Sequence, residues 1–120
     1  MKILIVDDEP EIVSILIRWI STCGHDAFGI TGGADVISWV QKQGFDVVLL
    51  DIRLPDADGL SIVADLVAKT KAKIIVMSGL PEDTWIETAM RNGAHYWLTK
   101  PLSFSRLEEI LTRLQRTNFT

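Results

Sequence analysis

Five short apolar runs, each followed by a segment with helical periodicity, constrain what this chain of 120 residues can fold into. The third run is the most apolar and is expected at the centre of a sheet, whereas the second is weaker and is expected at or near an edge. The alternation predicts a parallel sheet covered on both faces, closed by right-handed crossovers into an α/β, (βα)5 doubly wound sandwich. The runs lie at residues 2–6, 26–30, 46–50, 73–77 and 95–99.

Start and stop signals mark the helices between these runs. Pro10 is typical of a first helical turn, Ser103 is typical of an N-cap, and Gly24, Gly44 and Gly93 are expected to end helices. The second helix is expected to open at residues 32–33, and the fourth to begin at residues 81–83, where two acids would lie near its positive end. The predicted helices therefore cover residues 10–22, 32–43, 59–70, 81–92 and 103 onward.

Composition excludes several classes of function. A net charge of −4 and a pI of about 5.0 leave no basic stripe for a nucleic-acid backbone, so direct nucleic-acid binding by this segment is not expected. Cys23 is the only cysteine, which excludes an intramolecular disulfide and a thiolate zinc cluster. The amino-terminal apolar run is too short for a signal peptide, and no stretch has the length of a membrane span. We therefore expect one domain over residues 1–120, soluble, cytoplasmic and without membrane contact.

Polar side chains follow four of the five runs at the point where each run ends. Asp7 and Asp8 follow the first, Asp51 the third, Ser78 the fourth and Lys100 the fifth. Parallel strands would place all of these groups along one edge of the sheet, where α/β proteins bind their ligands. The sequence thus predicts a crevice that holds carboxylates, a hydroxyl and an ammonium group together.

Each group also has a simpler interpretation. Asp8 could cap the first helix, but two adjacent acids at the end of a buried strand repel each other unless a cation such as Mg²⁺ is present. Asp51 could cap a turn, yet the residues after it do not begin a helix, and a carboxylate beside Mg²⁺ can accept a phosphoryl group. Ser78 alone is uninformative, and Lys100 alone would be a solvated charge. The combination is what indicates phosphoryl transfer, with Lys100 as a clamp on a phosphoryl oxygen.

The chain closely resembles the receiver domain of two-component response regulators over essentially its whole length. The segments that carry the resemblance are ILIVDDEP, VVLLDIRLPDADG, IIVMSG and GAHYWLTKP. It implies a flavodoxin-like fold with strand order 2-1-3-4-5 and Mg²⁺ as cofactor. It also implies a role for each matching residue: Asp51 as phosphoacceptor, Asp8 as direct metal ligand, Asp7 as ligand largely through water, the backbone carbonyl of Arg53 as a further ligand, Ser78 as switch hydroxyl and Lys100 as phosphate clamp. Trp97 stands where the family usually has the switch Tyr or Phe.

The resemblance also implies the biology. A histidine kinase or histidine phosphotransfer protein would donate the phosphoryl group, as in a phosphorelay, and the chain would be no enzyme beyond its own phosphorylation and dephosphorylation. The surface of the fourth helix, fifth strand and fifth helix would then change and control a downstream effector protein or an attached output domain. The same surface is available for a homodimer. Whether the chain is a stand-alone protein or a segment of a longer regulator stays open.

Two other classes compete with this interpretation. A Mg²⁺-dependent phosphohydrolase of the haloacid-dehalogenase type would carry Asp-x-Asp after its first strand and a cap insertion, whereas here the acids are adjacent and no insertion is present. A degenerate receiver that serves only as a binding module would lack part of the Asp7, Asp8, Asp51, Ser78 and Lys100 set, which is complete in this chain.

The first helix is too apolar for a single buried stripe. Ile12, Ile15, Leu16 and Trp19 are expected to face the core, and Val13, Ile17 and Ile20 form a second stripe at helical spacing. This second stripe either packs beneath neighbouring segments or docks on a kinase or phosphotransfer helix bundle, and the sequence favours neither. Trp85, near the start of the fourth helix, either lies on the output face or packs in the core.

Overall fold

The computed structural model describes residues 1–80 and 82–118, and within them the chain forms five strands and five helices. The strands are β1 (Lys2–Val6), β2 (Asp26–Ile30), β3 (Val47–Asp51), β4 (Lys73–Ser78) and β5 (Tyr96–Thr99). The helices are α1 (Pro10–Thr22), α2 (Val36–Gln43), α3 (Gly59–Lys69), α4 (Thr84–Arg91) and α5 (Phe104–Asn118). None of the helices in this described part is long and apolar enough to cross a membrane.

All neighbouring strands pair in parallel, in the order β2-β1-β3-β4-β5. The predicted doubly wound topology is therefore confirmed, with β2 at an edge and β3 at the centre. The strand order reverses between β1 and β3, so that the loops after these two strands leave the same edge side by side. This is the position where the sequence places most of its candidate carboxylates.

Alternating residues of the buried strands form two hydrophobic layers, one on each face of the sheet. One layer packs against α2, α3 and α4, and its strand residues are Leu4, Val6, Val48, Leu50, Ile74 and Val76. The other packs against α1 and α5, and its strand residues are Ile3, Ile5, Val47, Leu49, Ile75, Met77 and Leu98. Because β1, β3 and β4 are covered on both faces, their carboxyl ends are rigidly placed relative to one another.

Two helices begin later than predicted. The prediction that the fourth helix begins at residues 81–83 is wrong for its two described residues: Glu82 has a φ of +52°, Asp83 is extended, and α4 starts at Thr84. Pro81 lies outside the described residues. Residues 32–33 belong to a loop rather than to α2, since the Gly33 N–H donates to the carboxylate of Asp56.

The second apolar stripe of α1 packs inside the protein, which contradicts the docking interpretation. Val13 and Ile20 are buried, and a Cβ placed on Gly29 of β2 would lie 2.2 Å from Val13 and 2.9 Å from Ile17. The missing side chain at Gly29 thus lets α1 lie close to β2. Ile15, expected in the core, is instead 52% exposed.

We expect Gly59→Ala to lower the free energy of unfolding by about 3 kcal/mol, because a buried position without space tolerates no added methyl group. A Cβ at Gly59 would lie 2.3 Å from the carbonyl oxygen of Ile52, which is backbone of the loop that follows β3. Urea denaturation of the wild type and of Gly59→Ala measures this difference in unfolding free energy.

Gly24→Ala is the control for this prediction. Gly24 has a φ of +89° and open space around its Cα, so the substitution adds only backbone strain, about 1 kcal/mol. Equal losses at the two positions would contradict the steric explanation.

Candidate functional site

Asp51 is the last residue of β3, and its side chain lies at the base of the crevice between the β1 and β3 loops. Only 4% of the residue is exposed. Its Oδ1 accepts a hydrogen bond from the Arg53 N–H at 2.9 Å, and its Oδ2 accepts one from Lys100 Nζ at 3.0 Å. The carboxylate is therefore held in one orientation by a backbone group and a cation.

Asp7 and Asp8 follow β1 and lie on the other side of the same crevice. Asp7 is fully buried and its Oδ1 accepts from the Glu9 N–H at 2.9 Å, whereas Asp8 is exposed. One carboxylate oxygen each from Asp7, Asp8 and Asp51 lies within 4.8 Å of the others. The structure thus brings together the three carboxylates that the sequence predicted to meet.

Lys100 is the cation that faces this cluster. Its backbone N–H donates to the carbonyl of Ser78, and its Nζ lies 2.7 Å from Asp7 Oδ2 and 3.6 Å from Glu9 Oε1. The peptide bond from Lys100 to Pro101 is cis. Burial would lower the pKa of Lys100, but its hydrogen bonds and charge interactions with Asp7 and Asp51 outweigh burial and raise it. The side chain is therefore charged at any physiological pH.

The donor set fits a magnesium ion. Three carboxylates face one ammonium group, so negative charge is in excess, and carboxylate oxygens are the ligands that Mg²⁺ takes in proteins. In addition, Asp7 Oδ2 is buried and ion-paired with Lys100 Nζ at 2.7 Å, and within the described part of the chain it has no further hydrogen bond. Because Asp7 shares this one ammonium group with Asp51, its buried oxygen can also serve as a ligand for a hard cation.

Ser78, the last residue of β4, is directed away from this cluster toward a second one. It is fully buried, and its Oγ donates to Asp83 Oδ2 at 2.5 Å while accepting from the Leu80 N–H at 3.2 Å. The predicted hydroxyl is thus in the site region but is bonded to a carboxylate for which the sequence predicted no site role.

Asp83 is the N-cap of α4 and accepts hydrogen bonds from four donors. Arg53 supplies two of them, Nε at 3.1 Å and Nη2 at 2.8 Å, and Ser78 and the Trp85 N–H supply the others. Mainly through the Arg53 hydrogen bonds, and against the opposing effect of burial, the pKa of Asp83 falls from 3.8 to about 2. The Arg53 guanidinium also stacks on the Trp85 ring at 3.7 Å.

Trp97 lines a groove beside α4 that is also lined by Asp83. It is 47% exposed on β5, and Ile86 and Met90 of α4 line the same groove. The sequence therefore placed Trp97 correctly on the last strand, and the structure shows its ring on the outer surface next to α4.

Asp83 and the side chain of Arg53 are the parts of the site that sequence reasoning missed. The sequence predicts a helix start at Asp83 and a backbone ligand from Arg53, and it does not pair the two side chains. The two residues are 30 positions apart, so no local spacing pairs them. A signal was present nonetheless, because an acid five residues after a buried serine lies on the loop that leaves the same sheet edge.

Comparison with known proteins gives consistent matches. The sequence model described as "Response regulator receiver domain" matches residues 3–112. The chain is 27% identical to the two-component response regulator ORR21 of Oryza sativa subsp. indica over 99% of its own length, and 30% identical to the transcriptional regulatory protein KdpE of Staphylococcus aureus over 96%. It spans only 18% of the first relative and 50% of the second.

A solved structure agrees with these matches. The BeF3-activated amino-terminal receiver domain of RstA from Klebsiella pneumoniae superposes with a TM-score of 0.89 at 25% identity. The superposition covers 97% of this chain and 99% of that one. The likeness therefore extends over the whole sheet and its helices.

Asp83→Asn should destabilise the protein by about 2 kcal/mol near neutral pH, because it removes a buried carboxylate that is bonded to a guanidinium. Since the folded-state pKa of Asp83 is lowered, its stabilising contribution is present above pH 3.8 and is lost as the pH falls through about 2. Urea denaturation of wild type and variant across this range should show the gap closing.

Asp58→Asn is the matched control, since Asp58 is the N-cap of α3 and its carboxylate accepts only backbone N–H groups among the hydrogen bonds described, those of Leu60 and Ser61. If the unfolding free energy of the wild type still exceeds that of Asp83→Asn by as much or more in acid, the pKa assignment is contradicted.

Proposed function

Because the chain belongs to the family of response regulator receiver domains, we propose that it accepts a phosphoryl group on Asp51 from a phosphohistidine donor. The observation that carries this proposal is the position of Asp51: a nearly buried carboxylate 3.0 Å from Lys100 and beside two further carboxylates. Residues 1–120 would act as one receiver domain in the cytoplasm, within a two-component system or phosphorelay.

The transfer itself requires little covalent chemistry from the protein. An oxygen of Asp51 forms a bond to phosphorus as the bond between phosphorus and the donor imidazole nitrogen breaks, and the electron pair of that bond stays on the imidazole. Lys100 is placed to bind an oxygen of the transferring group. Asp7, Asp8, Asp51 and the Arg53 carbonyl would hold Mg²⁺, which supplies further neutralisation of the phosphoryl charge when bound.

Receiver domains are signalling domains rather than classical enzymes, so we set the phosphohydrolase alternative aside. The Asp7, Asp8, Asp51 and Lys100 arrangement, in which one ammonium group faces three carboxylates, also favours a working receiver over a degenerate binding module. The only reactions that we assign to the chain are its own phosphorylation at Asp51 and the hydrolysis of that phosphate.

Phosphorylation would replace the single negative charge of the Asp51 carboxylate with a phosphoryl group of about two negative charges near Ser78 and Lys100, and it would shift the population of two conformations. We propose that the output surface comprises α4, β5 and α5, with Trp97 as the switch aromatic, because Trp97 already contacts the groove beside α4. A downstream effector protein, an attached output domain or a second copy of the chain would bind there.

Incubation with acetyl phosphate and Mg²⁺ tests the proposed chemistry by intact mass. We expect one added phosphoryl group on the wild type, none on Asp51→Asn, and none when the metal is chelated. A single adduct that survives in Asp51→Asn would contradict the assignment of the phosphoacceptor.

The exposed apolar part of α1 and α5 is proposed to meet the donor protein. Ile15 is 52% exposed, and Trp19 of α1 stacks on the partly exposed Phe104 of α5 with ring centroids 4.9 Å apart. Helices α1 and α5 lie on the side of the sheet opposite α2, α3 and α4. This surface replaces the Val13 and Ile17 stripe, which is packed against β2.

The donor in this test is a phosphorylated histidine phosphotransfer protein that transfers its phosphoryl group to the wild type. Ile15→Asp should lower the rate of this transfer about tenfold, because a charge replaces an apolar contact at an interface. Phosphorylation by acetyl phosphate should not change. Val67→Asp, at a 45% exposed site on α3, is the control and should behave like the wild type in both reactions. Equal slowing with both donors would argue against docking.

A further inference from the structure

The hydroxyl of Ser78 has a single proton, and Ser78 donates it in a hydrogen bond to the carboxylate of Asp83. The distance from Ser78 Oγ to Asp83 Oδ2 is 2.5 Å, in the range of hydrogen bonds to ionised acceptors. The Oγ accepts from the Leu80 N–H, so the group is satisfied without any contact to Asp51. To donate to a phosphoryl oxygen, Ser78 has to give up its bond to Asp83, because a hydroxyl donates only once.

The acceptor in this bond is held in place independently of Ser78. The side chain of Asp83 is fully buried, and both of its oxygens remain bonded to Arg53 when the hydroxyl leaves. The Arg53 guanidinium is fixed in turn by its stack on Trp85. When the hydrogen bond from Ser78 breaks, the Asp83 carboxylate is therefore still paired with Arg53, and it can accept the hydroxyl again.

We propose that Asp83 is a positioning residue that competes with the phosphoryl group on Asp51 for the hydroxyl of Ser78, and that this competition weakens the phosphorylated conformation. The inference rests on the proposed function, which it extends with a residue that sets the balance between the two states. Arg53 belongs to the same device, because it keeps the Asp83 carboxylate in position.

The competition also reaches α4. Asp83 caps this helix through the Trp85 N–H, so one carboxylate bonds both the end of β4 and the first turn of α4. Separation of Ser78 from Asp83 removes a direct contact between the phosphorylation site and that helix. A partner that binds α4 in a position where Asp83 cannot reach Ser78 increases the affinity of the site for a phosphoryl group. By linkage, phosphorylation increases the affinity for that partner by the same factor.

The experiment is a double-mutant cycle in the affinity for beryllofluoride with Mg²⁺, measured by titration calorimetry on wild type, Asp83→Ser, Ser78→Ala and the double variant. Serine keeps the N-cap of α4 but is too short to replace the carboxylate in all of its contacts. We expect Asp83→Ser alone to bind beryllofluoride about 3- to 10-fold more tightly, the factor of one hydrogen bond. In the Ser78→Ala background the same substitution should change nothing, because no hydroxyl is left to compete for.

Asp58→Ser, at the N-cap of α3, is the matched control and should bind like the wild type. The inference is overturned if Asp83→Ser binds beryllofluoride no more tightly than the wild type. It is also overturned if Asp83→Ser binds more tightly to the same extent with and without the Ser78 hydroxyl, since the effect would then pass through Arg53 or α4 alone.

Two further readings separate this inference from the proposed function. A wild-type chain that neither binds beryllofluoride nor takes up a phosphoryl group overturns the proposed function, and the competition with it. The unfolding free energies of the same four proteins test the hydrogen bond directly: we expect the double variant to lose less than the sum of the single losses. Strict additivity overturns the Ser78–Asp83 bond even if phosphorylation proceeds.

Discussion

Three carboxylates share one edge of the sheet with a single ammonium group, and the rest of the site is arranged around that imbalance. The strands that carry Asp7 and Asp51 are buried on both faces, so the backbone cannot spread to relieve the repulsion. Lys100, which follows β5 at the edge of the sheet, offsets part of the charge. The fold thus maintains a place for a divalent cation by preventing the carboxylates from separating.

Two hydrogen-bond networks meet at the loop after β3. One contains Lys100, Asp7 and the Asp51 carboxylate, and the other contains Asp83, Ser78 and the Arg53 side chain. Arg53 belongs to both, because its backbone N–H donates to Asp51 and its guanidinium to Asp83. A change of charge on Asp51 therefore has a short covalent route to the second network and, through Asp83, to the first turn of α4.

The sequence was sufficient for the topology and for the carboxylate cluster, because both follow from local patterns. Apolar runs specify the strands, parallel pairing brings their ends together, and a polar residue at each end is then placed without knowledge of side-chain contacts. The second network could not be obtained in this way. The pairing of Arg53 with Asp83 depends on rotamers and on a loop in which Glu82 takes a positive φ, a conformation that propensity does not predict. For the same reason, the close packing of Val13 and Ile17 against β2 depends on Gly29, a glycine in a strand distant in sequence.

The Arg53–Asp83 pair also restricts how such a chain can change in descent. Loss of Arg53 alone would leave a fully buried carboxylate with its charge uncompensated, and loss of Asp83 alone would leave a guanidinium stacked on Trp85 without its partner. Either single step is costlier than the joint replacement of both by an uncharged pair. Positions 53 and 83 should therefore be inherited together or exchanged together among relatives. Within a lineage, the strength of the hold on Ser78 would then change in discrete jumps rather than by gradual drift.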